Sequence, residues 1–398
     1  MEVMRLGMIA TGGRGGMYKQ WMEDPRVQVV AGADVSAEAR KAFAEALPDA
    51  VVTDDYRRVL DRKDIDAVAV CTPDFLHREH AVAALQAGKH LFCEKPLAIT
   101  VDHCDDILRA WRQAGVRMMV GFNMRYAYFC VKMKELVDDG AIGEVKTAWT
   151  RHFVGWGGRF YYHDWHANHK NTTGLLLQKA THDLDIMHWV CGSHTVRTAA
   201  FGALMHYGGD KPNDLRCKTC DIRESCLEEA SKWNGHDDEC VFRKEVDVED
   251  VSVMIMQYAN GVQAAYQQCH FSPEYERNYT FIGTEGRVES DEPHGKVYLW
   301  RRTPGKNQTE PTEVFECPSR HGGHGGADPK IAKDFVDMVV DGVPPRARAV
   351  DGRWSVAAGV CATESIRNGG TPVNVPPLPD DLADLDCSTQ DGCASDRQ

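Results

Sequence analysis

A chain of 398 residues with 43% hydrophobic and 26% charged positions has room for two or three domains with cores of their own, which excludes a disulfide miniprotein or a low-complexity chain. Forty-six basic residues against 59 acidic ones give a formal charge of −13, which repels phosphate backbones and anionic lipid and argues against nucleic acid or a membrane as partner. No apolar run reaches the ~18 residues of a membrane span and no secretory leader pattern opens the sequence, so the expectation is a cytoplasmic protein with reduced thiols.

The first stretch alternates strand and helix. Val3 to Ala10 is a short apolar run ending in glycines, and Met17, Trp21 and Met22 follow at helical spacing. Val27 to Asp34 reads as a second strand, Ala37 to Leu47 as a helix and Ala67 to Thr72 as a buried strand. Helices over Ala81–Ala87 and His103–Ala114 alternate with strands over His90–Cys93 and Arg117–Gly121. Strands joined by helical crossovers imply a doubly wound parallel sheet, a Rossmann-type domain over residues 1–125.

A different rhythm follows. After one amphipathic helix from Tyr126 to about Asp138 come strand-like segments at Val145–Val154, Val196–Met205, Val251–Tyr258, Val262–Phe271 and Tyr279–Ile282. Asn260-Gly261 between two of them is a strong hairpin signal, and Gly283 to Gly286 separates the next pair. The expected second domain, residues 126–375, is an open, mostly antiparallel sheet with helices at Gln178–Trp189, Pro329–Val340 and Asp351–Ile366 on one face. Its bare face would serve a homodimer or homotetramer. The polar, acidic residues 376–398 read as a tail that is mobile or draped on a neighbour.

The turn Ala10 to Gly15 (ATGGRG) lies where a dinucleotide fingerprint belongs, between the first strand and a helix. Gly12 and Gly13 admit a pyrophosphate to the backbone, and Gly15 permits close helix packing. Ala10 stands where the fingerprint has its first glycine. Asp34 ends the second strand, where a carboxylate accepts hydrogen bonds from ribose hydroxyls, which favours NAD. Arg14 beside it leaves NADP as the alternative.

Four of the 14 cysteines crowd together as C-x2-C-x5-C-x13-C: Cys217, Cys220, Cys226 and Cys240, inside a Cys-rich insertion over 210–243. The spacing suits a structural zinc, with His236 as a substitute ligand. An iron–sulfur cluster and unmetallated thiols are the other readings.

Ala87-Gly88-Lys89-His90, then Leu91-Phe92-Cys93 and Glu94-Lys95-Pro96, resemble the AGKHV-x-CEKP signature of the Gfo/Idh/MocA oxidoreductases. Cys71-Thr72-Pro73 with His77, and Gly121 to Tyr126 (GFNMRY), match its other landmarks, so the resemblance spans roughly residues 4 to 370. It implies a Rossmann domain, an open-sheet domain and an active site between them, where a nicotinamide cofactor oxidises or reduces a hydroxyl-bearing carbon of a sugar or cyclitol. The cofactor contacts it implies are Gly12, Gly13, Arg14, Gly15, Asp34, Thr72, Pro73, His77, Glu94, Lys95, Asn123 and Arg125. Glu94 would support the loop, and Pro96 would carry an unusual peptide geometry.

Hydride removal from a secondary alcohol needs a base for the hydroxyl proton and a donor for the developing oxyanion, and Lys95 at a strand end can serve as both. The family carries an Asp and, four residues later, a His on the helix after Gly174. Here His182 matches, but Gln178 replaces the Asp. That leaves Lys95 and His182 as the acid/base pair, with Lys179 and Asp185 as neighbours that either line the cleft or serve packing.

His152, Trp156, Arg159, Tyr161, Tyr162, His163, Trp165, His166 and His169 cluster just before this helix. Their rings suit sugar C–H faces and their polar tips suit hydroxyl or carboxylate groups, against the alternative of a polar loop with a few core aromatics. His152, Trp156, Arg159 and Trp165 are the substrate candidates among them. His324 and Asp328, in the glycine-rich stretch RHGGHGGAD, are further candidates. The leading expectation is an NAD-dependent sugar or cyclitol dehydrogenase. The alternatives are a glycosidase or lyase that oxidises transiently and eliminates, and a nicotinamide-binding regulator without turnover.

Overall fold

The computed structural model describes residues 3–155, 157–233, 238–318 and 323–386. They form two compact units, Met1–Ala127 with Ser319–Val356 and Pro377–Gln398, and Tyr128–Pro318 with Ala357–Pro376.

The first unit holds a six-stranded parallel sheet: β1 (Met4–Ile9), β2 (Val27–Ala33), β3 (Val51–Thr53), β4 (Ala67–Val70), β5 (His90–Cys93) and β6 (Met118–Val120), in the order β3-β2-β1-β4-β5-β6. β1, β4 and β5 are almost wholly buried, as strands covered on both faces must be. The crossover helices begin at side-chain caps: Ser36 accepts from the Ala39 N–H and Thr100 from the His103 N–H. The helix Val101–Ala114 ends on Gly115 at φ 64°. The strand order reverses between β1 and β4, so the turns leaving these two strands flank the switch point where such sheets bind their ligands.

Two expectations are corrected in this unit. The helix Gly323–Asp341 and the first turns of Ala349–Arg367 belong with the parallel sheet, not with the second domain. Phe335 explains the first, since its ring packs edge-on against Trp21 and Phe92. The start of the tail is docked as well: Leu382 is buried, and Asp381 pairs with Arg109 at 2.7 Å. The tail from 387 on lies outside the described residues.

The second unit is a nine-stranded sheet: β7 (Val145–Phe153), β8 (Thr195–Ala203), β9 (Val251–Tyr258), β10 (Gln263–Cys269), β11 (Glu276–Gly283), β12 (Gly286–Asp291), β13 (Lys296–Arg301), β14 (Glu313–Glu316) and β15 (Val373–Asn374). The order is β14-β13-β12-β11-β7-β10-β9-β8-β15, antiparallel throughout save for β7 beside β10. Asn260-Gly261 makes the expected hairpin, with Gly261 at φ 89°. Alternation sets the faces: Ala148, Thr150 and His152 of β7 point inward, where the helix Thr181–Cys191 packs on them, while Trp149 and Arg151 face out. Phe201, Val253 and Ile255 extend that outer apolar face. No helix among the described residues is long and apolar enough to cross a membrane.

Candidate active site

In the first unit the glycine turn is shaped by one close approach. A Cβ on Gly15 would lie 2.3 Å from the Ala10 carbonyl oxygen, whereas Cβ positions on Gly13 and Gly16 meet nothing within 4 Å. The turn is closed against its own strand and open outward, as a pyrophosphate cradle requires. Ala10 takes the place of a glycine at φ 68°, a left-handed conformation that costs an L-residue about 1–2 kcal/mol. Asp34 holds this turn from behind. Its Oδ2 accepts from the Thr11 and Gly12 N–H groups at 2.8 and 3.0 Å, and its Oδ1 from Ser36 N–H at 2.8 Å.

Arg14 does not reach outward from the turn. Its Nε donates to Glu94 Oε1 at 2.6 Å, and its two terminal nitrogens grip both oxygens of Asp328 at 2.9 Å. The hydrogen-bonding edges of its guanidinium are thus directed to Glu94 and Asp328. Asp328 also accepts from Asn123 Nδ2 at 3.0 Å and faces His324 Nδ1 at 2.9 Å. Its carboxyl sits well below the usual range despite burial, because His324 and Arg14 hydrogen-bond the charged form. The Glu94 carboxylate returns to the chain through Oε2, which accepts the Lys95 N–H at 3.1 Å.

Thr72, Pro73 and His77 bind the two loops that follow β4 and β5. The His77 ring lies between Pro96 O at 2.7 Å and Thr72 O at 2.8 Å. Lys95 is half-buried at the end of β5, and the Lys95–Pro96 peptide is cis. Arg125 is buried and ion-paired to Asp351 at 3.0 Å.

In the second unit the centre of charge is a residue the sequence did not single out. Asp183 is fully buried and receives His152 Nδ1 at 2.8 Å, Arg277 Nε at 3.0 Å, Tyr266 OH at 3.0 Å and the Tyr279 hydroxyl. Burial opposes its charge, yet His152 and Arg277 outweigh that and hold the carboxyl well below the usual range. An ionised carboxylate only accepts, so His152 donates from Nδ1 and carries a bare Nε2, which has no hydrogen-bond partner. Burial, reinforced by Arg277, lowers the His152 pKa to about 3 and keeps the ring neutral.

Gln178, Lys179 and His182 sit around the break between the helices Leu175–Gln178 and Thr181–Cys191, all nearly or fully buried, and Asp185 is buried one turn on. Lys179 Nζ lies 3.5 Å from Tyr275 OH, against the faces of Tyr161 and Tyr275. Other members of the aromatic run have partners within the unit. His163 spans the Glu239 and Glu228 carbonyls at 2.5 and 2.8 Å, which ties down the Cys-rich insertion. Trp165 stacks on His166 at 3.6 Å, and His166 Nδ1 meets Asp164 at 2.7 Å. Arg159 lies over Phe160, its neighbour in a π-helical turn, Tyr162 is fully buried, and His169 faces Glu249 at 3.4 Å. Trp156 and His236 lie outside the described residues.

Cys217, Cys220, Cys226 and Cys240 line one cavity of about 30 Å³ beside His163. Among the described residues, however, no group of three or more His, Cys, Asp or Glu side chains is placed to hold a metal ion, so the expected zinc or iron–sulfur site finds no ligand set. Cys217 and Cys240 instead take hydrogen bonds from the Ala230 and Phe242 backbone, and burial pushes both thiols up toward the protonated form.

Two family models cover most of the chain. "Oxidoreductase family, NAD-binding Rossmann fold" matches residues 4–122, and "Oxidoreductase family, C-terminal alpha/beta domain" matches residues 134–375. The chain belongs to the Gfo/Idh/MocA oxidoreductases. Within that family it is similar to YteT of Bacillus subtilis (strain 168), named as an oxidoreductase, at 29% identity over 68% of this chain and 72% of that one. An inositol 2-dehydrogenase of Salmonella typhimurium (strain LT2) is 32% identical over 41% of this chain and 47% of its own length, so that match spans about half of the relative. Among solved structures, levoglucosan dehydrogenase in complex with NADH and levoglucosan superposes with a TM-score of 0.77 at 20% identity, covering 94% of this chain and 99% of that one. An oxidoreductase domain protein from Kribbella flavida gives 0.78 at 20% identity, with 94% and 100% covered. At that identity the likeness concerns the fold. As a Gfo/Idh/MocA member the protein is an NAD-binding oxidoreductase.

Proposed function

We propose that this protein is an NAD-dependent dehydrogenase acting on a secondary hydroxyl of a sugar or cyclitol. The observation that carries the reading is the glycine turn at the switch point of the parallel sheet, closed by Gly15 against Ala10, buttressed by Asp34 and linked through Arg14 and Glu94 to the loop of Lys95. The inositol 2-dehydrogenase relatives supply the substrate class.

The nicotinamide, when bound, accepts the hydride. Lys95 takes the hydroxyl proton at Nζ, and His182 is the second acid/base group. Glu94 and Arg14 fix the backbone from which Lys95 projects. Asn123, Thr72, Pro73 and His77 shape the walls toward the cofactor. Asp34 places negative charge behind Gly12, which disfavours a 2′-phosphate and selects NAD over NADP. With Arg14 committed to Glu94 and Asp328, no guanidinium on the turn offsets that preference.

A second copy of the chain covers the outer sheet face at Trp149, Phe201, Val253 and Ile255 in this reading, giving a homodimer or homotetramer; light scattering checks it, and a monomer removes it. The function itself is tested by incubating the protein with NAD and a panel of cyclitols, aldoses, uronates and glycosides while following nicotinamide absorbance and analysing products. Steady NADH formation matched by ketone product supports the dehydrogenase. Product release without net NADH selects the oxidation–elimination alternative, and NAD binding without turnover of any member selects a regulator.

A further inference from the structure

Lys179 is a buried ammonium, 9% exposed, that approaches the Tyr275 hydroxyl at 3.5 Å and also hydrogen-bonds Tyr161. Its Nζ lies 5.4 Å from the centroid of Tyr161 and 5.5 Å from that of Tyr275. Two aromatic faces return about 0.5–2 kcal/mol to a cation, whereas removing an ammonium from water costs several. No carboxylate of the described residues forms an ion pair with it. The acids of this neighbourhood are committed elsewhere: Asp183 to His152, Arg277 and two phenols, and Glu292 to the Arg277 N–H at 3.1 Å.

The two phenols flanking Lys179 each meet a buried histidine edge-on, Tyr275 against His152 at 5.5 Å and Tyr161 against His270 at 5.4 Å. His152 Nε2 and both ring nitrogens of His270 are buried without hydrogen-bond partners. Buried polar atoms left without partners are rare in folded proteins and mark a missing ligand or water. Burial first, then Arg277 and Lys179 at His152 and His152 and Lys179 at His270, disfavour charge on these rings. The cluster therefore holds Lys179, two neutral imidazoles and two phenols, with the Asp183-paired Arg277 5.6 Å from the Tyr275 centroid, a set that fits a small anion bearing hydroxyl groups. It lies three residues before His182 on the chain.

We propose that Lys179, caged by Tyr161 and Tyr275 with His152 and His270 behind them, is a carboxylate-binding subsite, so that the substrate is an acidic polyol of the uronate or aldonate type. The proposal rests on the dehydrogenase reading for its polyol but not for its anion. Lys179 supplies the charge, the phenol hydroxyls reach the second carboxylate oxygen or a neighbouring hydroxyl, and the imidazoles accept from hydroxyl groups.

The test is calorimetric binding of D-gluconate, D-glucuronate and D-galacturonate, against D-glucose and myo-inositol, to the protein loaded with NADH, with NADH formation from added NAD followed in a separate assay. At least one acid binds about tenfold or more tighter than every neutral polyol, and Lys179→Met removes that preference while Lys179→Arg retains part of it. Lys179→Met should melt no lower than the parent, because it deletes an uncompensated buried charge, so lost binding is not lost folding. Equal binding of acids and neutral polyols, an acid preference that survives Lys179→Met, or no binding of any acid overturns the subsite. Neutral polyols turned over without acid preference leave the dehydrogenase standing and the subsite refuted; acid binding that needs Lys179 but yields no NADH does the reverse.

Discussion

His152 Nδ1 and Asp183 Oδ2 lie 2.8 Å apart with both side chains fully buried. The pair is embedded, since Arg277 and the hydroxyls of Tyr266 and Tyr279 share the same carboxylate. Removing the acid would take from the buried Arg277 guanidinium the carboxylate it pairs with at 3.0 Å. Asp183→Asn is expected to cost about 3–5 kcal/mol of unfolding free energy, the usual penalty for breaking a buried pair from one side. Urea titration checks it, and a loss under 1 kcal/mol would show that Arg277 finds water instead.

The same cluster sets an acid limit. Burial holds His152 at about 3 and His270 well below its ordinary value, so the unfolded chain binds more protons than the folded one as pH drops below about 6.5. Their contribution is complete above that pH and declines as pH falls toward the folded values; Asp183, depressed as a carboxylate, adds a loss of the same sign at still lower pH. Each buried histidine contributes a slope of up to about 1.4 kcal/mol per pH unit in this window. Replacing His270 with Leu should flatten unfolding free energy against pH between about 6 and 4 by up to that amount; an unaltered slope would mean that His270 titrates normally.

At the cofactor turn, Gly15→Ala should be disproportionately harmful. The added methyl would meet the Ala10 carbonyl at 2.3 Å, and relief requires moving the turn that Asp34 anchors. We expect about 1–3 kcal/mol of destabilisation together with weakened NAD binding. Gly16→Ala, where the methyl meets open space, serves as the control and should leave stability within about 0.5 kcal/mol. Fluorescence titration with NADH compares the two.

The parts of the molecule legible in the sequence are those where one strand carries its own signal. β1, β4 and β5 are almost wholly buried runs, and β9 and β10 alternate around Asn260-Gly261. β14 was not anticipated, since nearly all of its four residues are exposed and it exists through pairing with β13. The three-residue β3 is likewise defined by its partner β2. Lys95 and His182 are proposed from motif order alone. The Asp183 cluster was not legible there, because pairing creates it: the β7 register sets Arg277 of β11 on one side of His152 and Gln268 of β10 on the other. One signal was available, an acid in the first turn of the helix Thr181–Cys191, and its burial could not be read from spacing. The cysteine spacing points to a zinc or iron–sulfur ligand set, whereas the four residues line a small cavity in which Cys217 and Cys240 take backbone hydrogen bonds.

The central claim is that Lys95 handles the substrate proton while the glycine turn holds NAD. Lys95→Met, assayed with NAD and the best polyol of the panel, measures it most directly when cofactor binding is titrated on the same sample. The account predicts NADH affinity within a few-fold of the parent and NADH formation reduced by about 10²–10⁴, the range for loss of a general base. Turnover at the parental rate with binding intact would contradict it.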